Sequence, residues 1–410
     1  MSIDFHPHVS FTSNILQPKL SEQNHINNKQ LKEDTFVKSI KVDNNLNYDG
    51  IKITHKPFGK IQKTGEDAVL YTITNKNGMS VDFSTFGATI TSIKVKDKDG
   101  KITDVTQGYD NVTPYETAPV GHAGGTIGPY ANKINNGEFS INGEKYSLER
   151  NKDNGKTHCH GGTNGLDVRN WKAKVLKDGI EFSYLKKDME SGYPGNVNIK
   201  VTYKLDNNNN LHIKYDAKSD KDTILNLTNH TYFNLDGAQN TSEGSVLNHI
   251  VKLTNSSKIT ENNSISIPTG NLLDVKGTPF DFSEYKKIGD VINEDDEQLK
   301  IGSGFDQNYC IDNYDGKTLQ EIAQVKSEKT GIILKVSTNM PGFQFYTANH
   351  LGKSTQPNGK DGSRYEKRSA LCIEPQVYPN AINTPQFKEK GLLKANENFD
   401  KEIVYSFSAE

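Results

Sequence analysis

His230 is the side chain best suited to proton transfer near neutral pH. It lies at the centre of Asn226–Gly237, among small hydrogen-bonding residues and aromatics. An imidazole gains or loses a proton at physiological pH, so this segment could supply a catalytic acid or base. A lone histidine is more often a buried residue that its neighbours satisfy, so catalysis needs further groups nearby.

Glu374 is the second candidate for proton transfer. It sets a carboxyl group at the end of the apolar strand predicted within Ala370–Gln376. Partial burial there would raise its pKa toward the range in which a carboxylate works as a general base, although a structural ion pair is equally possible. If the surroundings of Glu374 and His230 move both pKa values toward neutrality, the two form an acid and base pair.

Gly128–Ile134 could hold the hydroxyl groups of a ligand, and the glycine-rich segment Gly121–Gly125 precedes it. Glycine lets a backbone approach a ligand closely, and Asn132 and Lys133 can hydrogen-bond hydroxyls. A phosphate-binding loop would need a long helix after its glycines, and the sequence predicts none here.

Thr157–Gly162 brings two histidines together. His158 and His160 would share one face if the segment is extended. With Cys159 they could begin a zinc site, but no second Cys and His pair at ligand spacing completes one. We therefore predict no metal and consider ligand binding the better use of this segment.

Asp306 is a second acidic candidate, flanked by aromatics. It could accept two hydroxyl hydrogen bonds, or it could cap a turn after Gly302. With Glu374 it could also form the carboxylate pair of a glycosidase, which needs a separation of about 5 to 10 Å. The prominent His230 fits proton transfer better.

Pro341–Asn349 is rich in aromatics. Strand alternation would put Gln344 and Tyr346 on the face opposite Phe343. Aromatic faces suit the apolar patches of pyranose rings, although core packing is the more frequent use of such residues.

Taken in order, these segments resemble the aldose 1-epimerase family, the galactose mutarotases. Seven motifs of that family have counterparts here: Gly128–Ile134, Cys159–Gly162, Asn226–Leu235, Gly277–Phe282, Phe305–Asp306, Pro341–Thr347, and Glu374 with Asn383–Pro385. Single motifs occur by chance, but seven in the family's order are a specific signal. The resemblance covers residues 50–410.

The resemblance implies a β-sandwich of the galactose mutarotase type that interconverts the α and β anomers of free hexoses such as galactose and glucose, without metal or organic cofactor. By this comparison, Glu374 would be the general base that takes the proton of the anomeric hydroxyl. His230 would be the general acid that protonates the ring oxygen. The residues that would contact the sugar are His160, Asp306, Asn132, Lys133 and Gln344.

Three positions depart from the family pattern, and one of them is Pro375, which follows Glu374 where many members have threonine. Pro129 and Lys133 stand where the family usually has arginines, and lysine offers a point charge in place of a planar fork of donors. A hexose 6-phosphate 1-epimerase, the nearest alternative, would want arginines for its phosphate. A sugar-binding module without turnover is a further alternative, against which the intact Glu374 and His230 argue.

The elements that must position these residues read as antiparallel strands. Asn77-Gly78 and Asn142-Gly143 each separate two alternating segments and suit the type I′ turn of a hairpin. Residues 197–205 and 211–215 alternate in the same way on either side of Asn207–Asn210.

Helix is predicted only in short pieces, Ser283–Ile292 and Thr318–Gln324. Many strands with frequent turns predict an all-β fold, a large antiparallel β-sandwich. No repeat of fixed period and no linker divides the chain after Gly50, so we expect one catalytic domain over residues 50–410.

Composition excludes several classes of partner. The 49 Lys and Arg residues nearly balance the 51 Asp and Glu residues, so the composition gives no basic face for nucleic acid or a membrane surface, and we expect a neutral or small polar ligand. The resemblance implies that this ligand is a sugar. Three cysteines are too few for a disulfide framework, which favours the cytoplasm. Residues 1–49 are polar and predict a flexible extension, and the sequence leaves monomer and homodimer open.

Overall fold

Antiparallel strands make up most of the chain that the computed structural model describes, residues 46–117, 122–387 and 391–410. In chain order, the strands are β1 (Leu46–Tyr48), β2 (Ile51–Lys60), β3 (Asp67–Thr74), β4 (Ser80–Ser84), β5 (Thr89–Lys96), β6 (Ile102–Asp104), β7 (Thr106–Gln107), β8 (Thr126–Ile127), β9 (Lys133–Asn135), β10 (Glu138–Ile141), β11 (Glu144–Ser147), β12 (Thr157–Cys159), β13 (Lys172–Val175), β14 (Gly179–Lys186), β15 (Val197–Leu205), β16 (Asn210–Ser219), β17 (Thr223–Ile224), β18 (Thr228–Asn229), β19 (Tyr232–Phe233), β20 (Ile250–Leu253), β21 (Lys258–Asn262), β22 (Pro268–Asp274), β23 (Lys286–Lys287), β24 (Asp306–Cys310), β25 (Gln320–Lys326), β26 (Ile332–Thr338), β27 (Gly342–Tyr346), β28 (Cys372–Gln376), β29 (Leu392–Leu393) and β30 (Asn398–Ala409). The α-helices are α1 (Val112–Thr117), α2 (Ile288–Val291) and α3 (Glu297–Gly302). Short 3₁₀ helices span Leu166–Val168, Glu190–Gly192, Ser245–Asn248, Lys360–Gly362 and Ala381–Asn383.

Three large sheets contain most of these strands. In the described residues, the first has six strands in the order β1-β2-β3-β4-β5-β6, the second has nine in the order β13-β14-β15-β16-β30-β26-β25-β20-β23, and the third has five in the order β22-β21-β24-β27-β28. The remaining strands form the pairs β10-β11, β12-β9, β17-β29, β18-β8 and β19-β7. Strand β30 pairs with β16 on one side and β26 on the other, so it joins the two halves of the nine-stranded sheet.

The predicted hairpins are confirmed. Between β10 and β11, Asn142 and Gly143 have φ of 52° and 84°, as the type I′ turn requires. The type I′ turn predicted at Asn77-Gly78 is wrong, because Gly78 has a positive φ but Asn77 does not. Gly78 donates its N–H to the carbonyl of Asn75, so the turn between β3 and β4 spans Asn75–Gly78. In the β15–β16 hairpin every second residue of β15 is buried, as the alternation predicts.

The hydrophobic core lies between the sheets. One cluster of buried side chains draws members from all three large sheets, including Val81 of β4, Val201 of β15 and Phe345 of β27. Between the six-stranded and nine-stranded sheets, the rings of Phe83 and Tyr203 lie 4.5 Å apart, centroid to centroid. The predicted all-β sandwich is therefore confirmed.

Helix prediction was less accurate. Thr318–Gln324 is not helical, because β25 (Gln320–Lys326) pairs with β20 and β26 in the nine-stranded sheet, and these pairings outweigh local preference. Within Ser283–Ile292, only Ile288–Val291 forms an α-helix. Among the described residues, no helix is long and apolar enough to cross a membrane.

The predicted N-terminal extension, residues 1–49, falls mostly outside the described residues. Its last part differs from the prediction, since Leu46–Tyr48 forms strand β1 and pairs with β2 at the edge of the six-stranded sheet.

Candidate active site

Neighbouring strands β27 and β28 bring the predicted acid and amide side chains together. Gln344 of β27 pairs with Glu374 of β28. Tyr346, two residues further along β27, pairs with Asp306 of β24. Side chains opposite each other or two apart point to the same face of a sheet, so they form one polar patch. Phe345, which lies between Gln344 and Tyr346 in the chain, is fully buried in the core on the other face. The predicted alternation is confirmed.

Glu374 is almost completely buried, with 2% of its surface exposed. Its Oε2 has no hydrogen-bond partner among the described residues. The adjacent amide of Gln344 is already engaged, because it donates from Nε2 to Oδ1 of Asp306 at 2.7 Å. Burial raises the pKa of the Glu374 carboxyl well above its usual value, and the negative charge of Asp306 raises it further.

His230 faces Glu374 across the inner end of a cavity. Its Nε2 lies 3.6 Å from Oε2 of Glu374, and its Nδ1 lies 3.5 Å from Sγ of Cys372. The imidazole also stacks on the ring of Tyr232, with 4.9 Å between centroids. The two predicted catalytic side chains therefore lie close enough to share the proton chemistry of one small ligand.

Burial lowers the pKa of His230 to about 3. The expectation that both pKa values of the pair move toward neutrality is therefore wrong for His230, because protein surrounds the imidazole and disfavours its charged form. The same burial disfavours the charged form of Glu374. For the same total number of protons, a neutral Glu374 carboxylic acid beside a neutral His230 is therefore more stable than a carboxylate beside an imidazolium.

His160 reaches the cavity through a left-handed backbone conformation, with φ of 52°. Its Nδ1 accepts a hydrogen bond from the Asn132 N–H at 3.2 Å, which leaves the proton of the neutral ring on Nε2. Burial lowers the pKa of His160 well below its usual value, so the ring is a neutral donor. His158 instead contacts the Glu149 carbonyl and the Tyr193 hydroxyl, both at 2.6 Å. The expected shared face is wrong, because the turn at His160 breaks the strand alternation.

Lys133 and Asn132 both have partners within the protein. The ammonium of Lys133 lies 2.9 Å from the carboxylate of Asp153 and donates to the carbonyl of Ile265, also at 2.9 Å. The side-chain oxygen of Asn132 accepts the Lys133 N–H at 2.9 Å. What remains for a ligand is the amide nitrogen of Asn132, the second lone pair of its side-chain oxygen, and the third donor of the Lys133 ammonium.

One cavity of about 710 Å³ unites the predicted site. It is lined by all seven of the residues singled out in the sequence, namely Asn132, Lys133, His160, His230, Asp306, Gln344 and Glu374. Tyr232 and Tyr346 add aromatic rings to the same wall. A cavity of this size with a few convergent polar groups and aromatic faces fits a small polyhydroxylated ring.

Known proteins are similar to this chain in sequence and in fold. The profile of the aldose 1-epimerase family matches residues 69–406. The chain belongs to the aldose 1-epimerase family. It is 35% identical to the galactose mutarotase of Sus scrofa over 359 residues, which are 87% of this chain and 99% of the relative. It is also 35% identical to the aldose 1-epimerase of Haemophilus influenzae over 343 residues, 82% of this chain and 95% of the relative.

The fold agrees with this membership. The crystal structure of an aldose epimerase homologue from C. elegans matches with a TM-score of 0.72 and 30% identity, over 82% of this chain and 97% of the homologue. The family resemblance of the seven motifs is therefore confirmed. The predicted class of enzyme, a carbohydrate isomerase, is confirmed with it.

Pro129 and Lys133, which stand where the family usually has arginines, have different surroundings. Pro129 is buried and does not belong to the lining of the cavity. Lys133 lines the cavity, and its charge is balanced by Asp153. Of the two, only Lys133 can contact a ligand directly in this family member.

One group of described residues has the donor types of a metal site. The ligand atoms of His230, Cys372 and Glu374 lie within 4.8 Å of one another. Burial raises the pKa of the Cys372 thiol well above its usual value. A protonated thiol is a poor ligand, so the chemistry of this donor set does not favour a metal. The expectation that this aldose 1-epimerase needs no metal stays a prediction.

Sequence analysis did not identify His122, which lies in the glycine-rich segment before Gly128–Ile134. Its Nδ1 is 2.6 Å from Oδ2 of Asp167, and its ring lies 4.8 Å from the ring of His160. The two partners are 45 residues apart and no local pattern links them. A histidine next to paired glycines was the available signal, since such a loop can pack closely against a second segment.

Proposed function

We propose that this chain interconverts the α and β anomers of a free aldohexose such as galactose or glucose. The observation that carries the proposal is the buried pair of Glu374 and His230, with Oε2 and Nε2 3.6 Å apart at a cavity lined by hydroxyl-binding side chains. Anomer exchange needs one group to take a proton from the anomeric hydroxyl and another to give one to the ring oxygen.

In the proposed mechanism, Glu374 is the general base and His230 the general acid. Glu374 takes the proton of the anomeric hydroxyl while His230 protonates the ring oxygen, and the ring opens. Rotation about the C1–C2 bond turns the other carbonyl face inward. Reclosure with the two roles reversed gives the opposite anomer, as microscopic reversibility requires.

The pKa shifts of the pair favour the end of this proton movement and disfavour its start. Ring opening transfers one proton, through the sugar, from His230 to Glu374. Burial lowers the pKa of His230 to about 3 and raises the pKa of Glu374 well above its usual value. Both shifts favour the arrangement that follows ring opening and disfavour the carboxylate and imidazolium from which ring opening begins, so the bound sugar must stabilise that starting arrangement.

The remaining predicted residues would position the sugar. Beside Glu374, the carboxylate of Asp306 accepts a hydrogen bond from the amide of Gln344. His160 presents an N–H donor to the cavity. Asn132 and Lys133 line the same cavity and would contact further hydroxyls. The rings of Tyr232 and Tyr346 offer apolar faces to a pyranose.

Polarimetry tests the proposal. Freshly dissolved α-D-galactose and α-D-glucose are followed with wild-type protein and with Glu374→Gln. We expect faster decay of optical rotation with wild type, and loss of that acceleration in the variant. If folded wild-type protein accelerates neither sugar but binds both, the alternative of a binding module without turnover replaces the proposal.

A hexose 6-phosphate is the second candidate substrate, because Lys152, Lys156 and Lys353 also line the cavity. Ammonium groups attract a phosphate dianion, although they lack the planar fork of arginine. The same polarimetric assay with glucose 6-phosphate separates the two substrates. A kcat/KM for the phosphate ester at least tenfold above that for glucose would favour this candidate.

We further propose that the protein acts in the cytoplasm without a cofactor, as one catalytic domain over residues 50–410, and as a monomer or homodimer. The three cysteines, Cys159, Cys310 and Cys372, are buried and free, which suits a reducing compartment. Neither nucleic acid nor a membrane is expected as a partner, since the charges of the chain nearly balance.

A further inference from the structure

A second histidine and carboxylate pair lies at the cavity wall, outside the acid and base pair. His122 lines the cavity, and its Nδ1 is 2.6 Å from Oδ2 of Asp167. The side chain of Asp167 is 6% exposed and that of His122 is 19% exposed. The ring of His122 lies 4.8 Å from the ring of His160 and 6.1 Å from that of His230.

Backbone hydrogen bonds and a close approach of two segments hold His122 in this position. Gly124 donates its N–H to the carbonyl of His230 at 2.8 Å, and His230 donates to the carbonyl of Gly125 at 3.1 Å. A Cβ at Gly125 would lie 2.9 Å from Cβ of Asp167, so only glycine lets the segment approach Asp167 this closely. The hydrogen bonds that place His230 therefore also place His122.

The contact with Asp167 determines which ring nitrogen of His122 donates a hydrogen bond and which one accepts. A carboxylate accepts only, so in the neutral ring the proton is on Nδ1 and Nε2 keeps its lone pair. No described residue contacts that Nε2 by a hydrogen bond. His160 has the opposite polarity, because its Nδ1 accepts from Asn132 and its Nε2 carries the proton. The cavity wall thus offers an acceptor and a donor from two rings that lie side by side.

We infer that His122, oriented by Asp167, is a substrate-binding residue that accepts a hydrogen bond from one hydroxyl of the sugar. This inference rests on the proposed function, since it concerns the same cavity. Asp167 is a positioning residue, which acts on the sugar through the ring of His122. Because a hydroxyl both donates and accepts, the neighbouring acceptor of His122 and donor of His160 can hold one hydroxyl or two adjacent ones.

The test compares His122→Phe, His122→Gln and Asp167→Asn with wild type on galactose and its four monodeoxy derivatives. Phenylalanine keeps a flat ring and removes the acceptor, whereas the side-chain oxygen of glutamine restores one. We expect His122→Phe to raise KM for galactose about tenfold with kcat changed less than threefold, as loss of one hydrogen bond implies. His122→Gln should recover most of this loss, and Asp167→Asn should resemble His122→Phe.

The deoxy sugars distinguish contact from a structural effect. In wild type, the derivative that lacks the bound hydroxyl should show the same tenfold rise in KM, and His122→Phe should no longer distinguish that derivative from galactose. An unchanged KM in folded His122→Phe, or an equal loss for every sugar, overturns the inference. If wild-type protein accelerates no aldose, the proposed function fails instead.

Discussion

Gln344 and Glu374 lie directly opposite each other on strands β27 and β28, yet the amide of Gln344 donates to Asp306 and not to the carboxyl of Glu374. Glu374 therefore keeps an unpartnered Oε2 in a buried position. An unpaired buried carboxyl is unfavourable for folding, and such groups are typical of sites in which a ligand supplies the missing partner.

Replacing Glu374 by glutamine should lower activity and raise stability. Loss of the general base should reduce kcat at least about a hundredfold. The folded pKa of Glu374 is raised well above the unfolded value, so its stabilising contribution is complete at low pH and is lost as pH rises through the folded pKa. The variant should therefore melt at a higher temperature than wild type above neutral pH, and this difference should shrink toward pH 5.

The matched control for that experiment is Glu284→Gln, whose carboxylate is 87% exposed. Neither kcat nor the melting temperature should change appreciably, because exposed ion pairs contribute little. Full activity in Glu374→Gln would remove Glu374 from the mechanism.

Replacing His230 by asparagine should slow turnover at least about a hundredfold and reduce acid sensitivity. Burial lowers the folded pKa of His230 to about 3, so stability is lost as pH falls from about 6.5, where the unfolded chain takes up a proton that the folded chain does not. Between pH 6.5 and pH 5, wild type should lose about 2 kcal/mol more than the variant. Urea unfolding at the two pH values measures this. His55→Asn, at an exposed position, should behave as wild type, and parallel losses in wild type and His230→Asn would contradict the prediction.

Replacing Asp306 by asparagine should move the alkaline limb of the kcat/KM profile to lower pH. Activity requires the pair to hold one proton in total; before the sugar binds, burial favours that proton on Glu374, and the charge of Asp306 helps to retain it there. Without that charge the pKa of Glu374 falls, so the proton leaves at lower pH. Polarimetric rates between pH 5 and 10 give the profile. Asp274→Asn, at a carboxylate that is 74% exposed, should leave both limbs in place. An alkaline limb unchanged in Asp306→Asn would argue against Glu374 as the group that titrates there.

Replacing Gly124 by alanine should destabilise the fold and displace Gly124 and Gly125, whose backbone hydrogen bonds hold His230. A Cβ at this position would lie 1.9 Å from the carbonyl oxygen of Ile90, and φ is 67°. Gly143→Ala is the control, because φ there is 84° and no atom lies within 4 Å of the added Cβ. Both variants should lose about 1 kcal/mol from the positive φ, but Gly124→Ala should lose more and should also lower kcat. Equal unfolding free energies in the two variants would show that the loop moves aside freely.

The sandwich could be predicted because it depends on short-range alternation. The seven candidate residues, which line one cavity, could be selected because their motifs resemble those of a known family. Alternation within Pro341–Asn349 was enough to separate Gln344 from the buried Phe345, and this separation is what directs the amide to the cavity. The helix predicted at Thr318–Gln324 is wrong because the segment pairs with β26 in a hairpin and with β20, which is distant in sequence.

Other features of the site depend on contacts that no local pattern encodes. The turn at His160, with φ of 52°, separates it from His158. The contact of His122 with Asp167 joins segments 45 residues apart. The direction in which the pKa of His230 moves depends on how completely the folded chain encloses its ring, and its 5% exposure could only be known from the fold.

The position of β30 has a consequence for synthesis of the protein on the ribosome. Residues 398–409 are translated after every other strand described here, yet they lie between β16 and β26 in the middle of their sheet. Until this segment leaves the exit tunnel, the two halves of the sheet expose unpaired edges that invite aggregation. Premature stop codons just before residue 398 should therefore yield insoluble chains, even though every proposed catalytic residue has already been made.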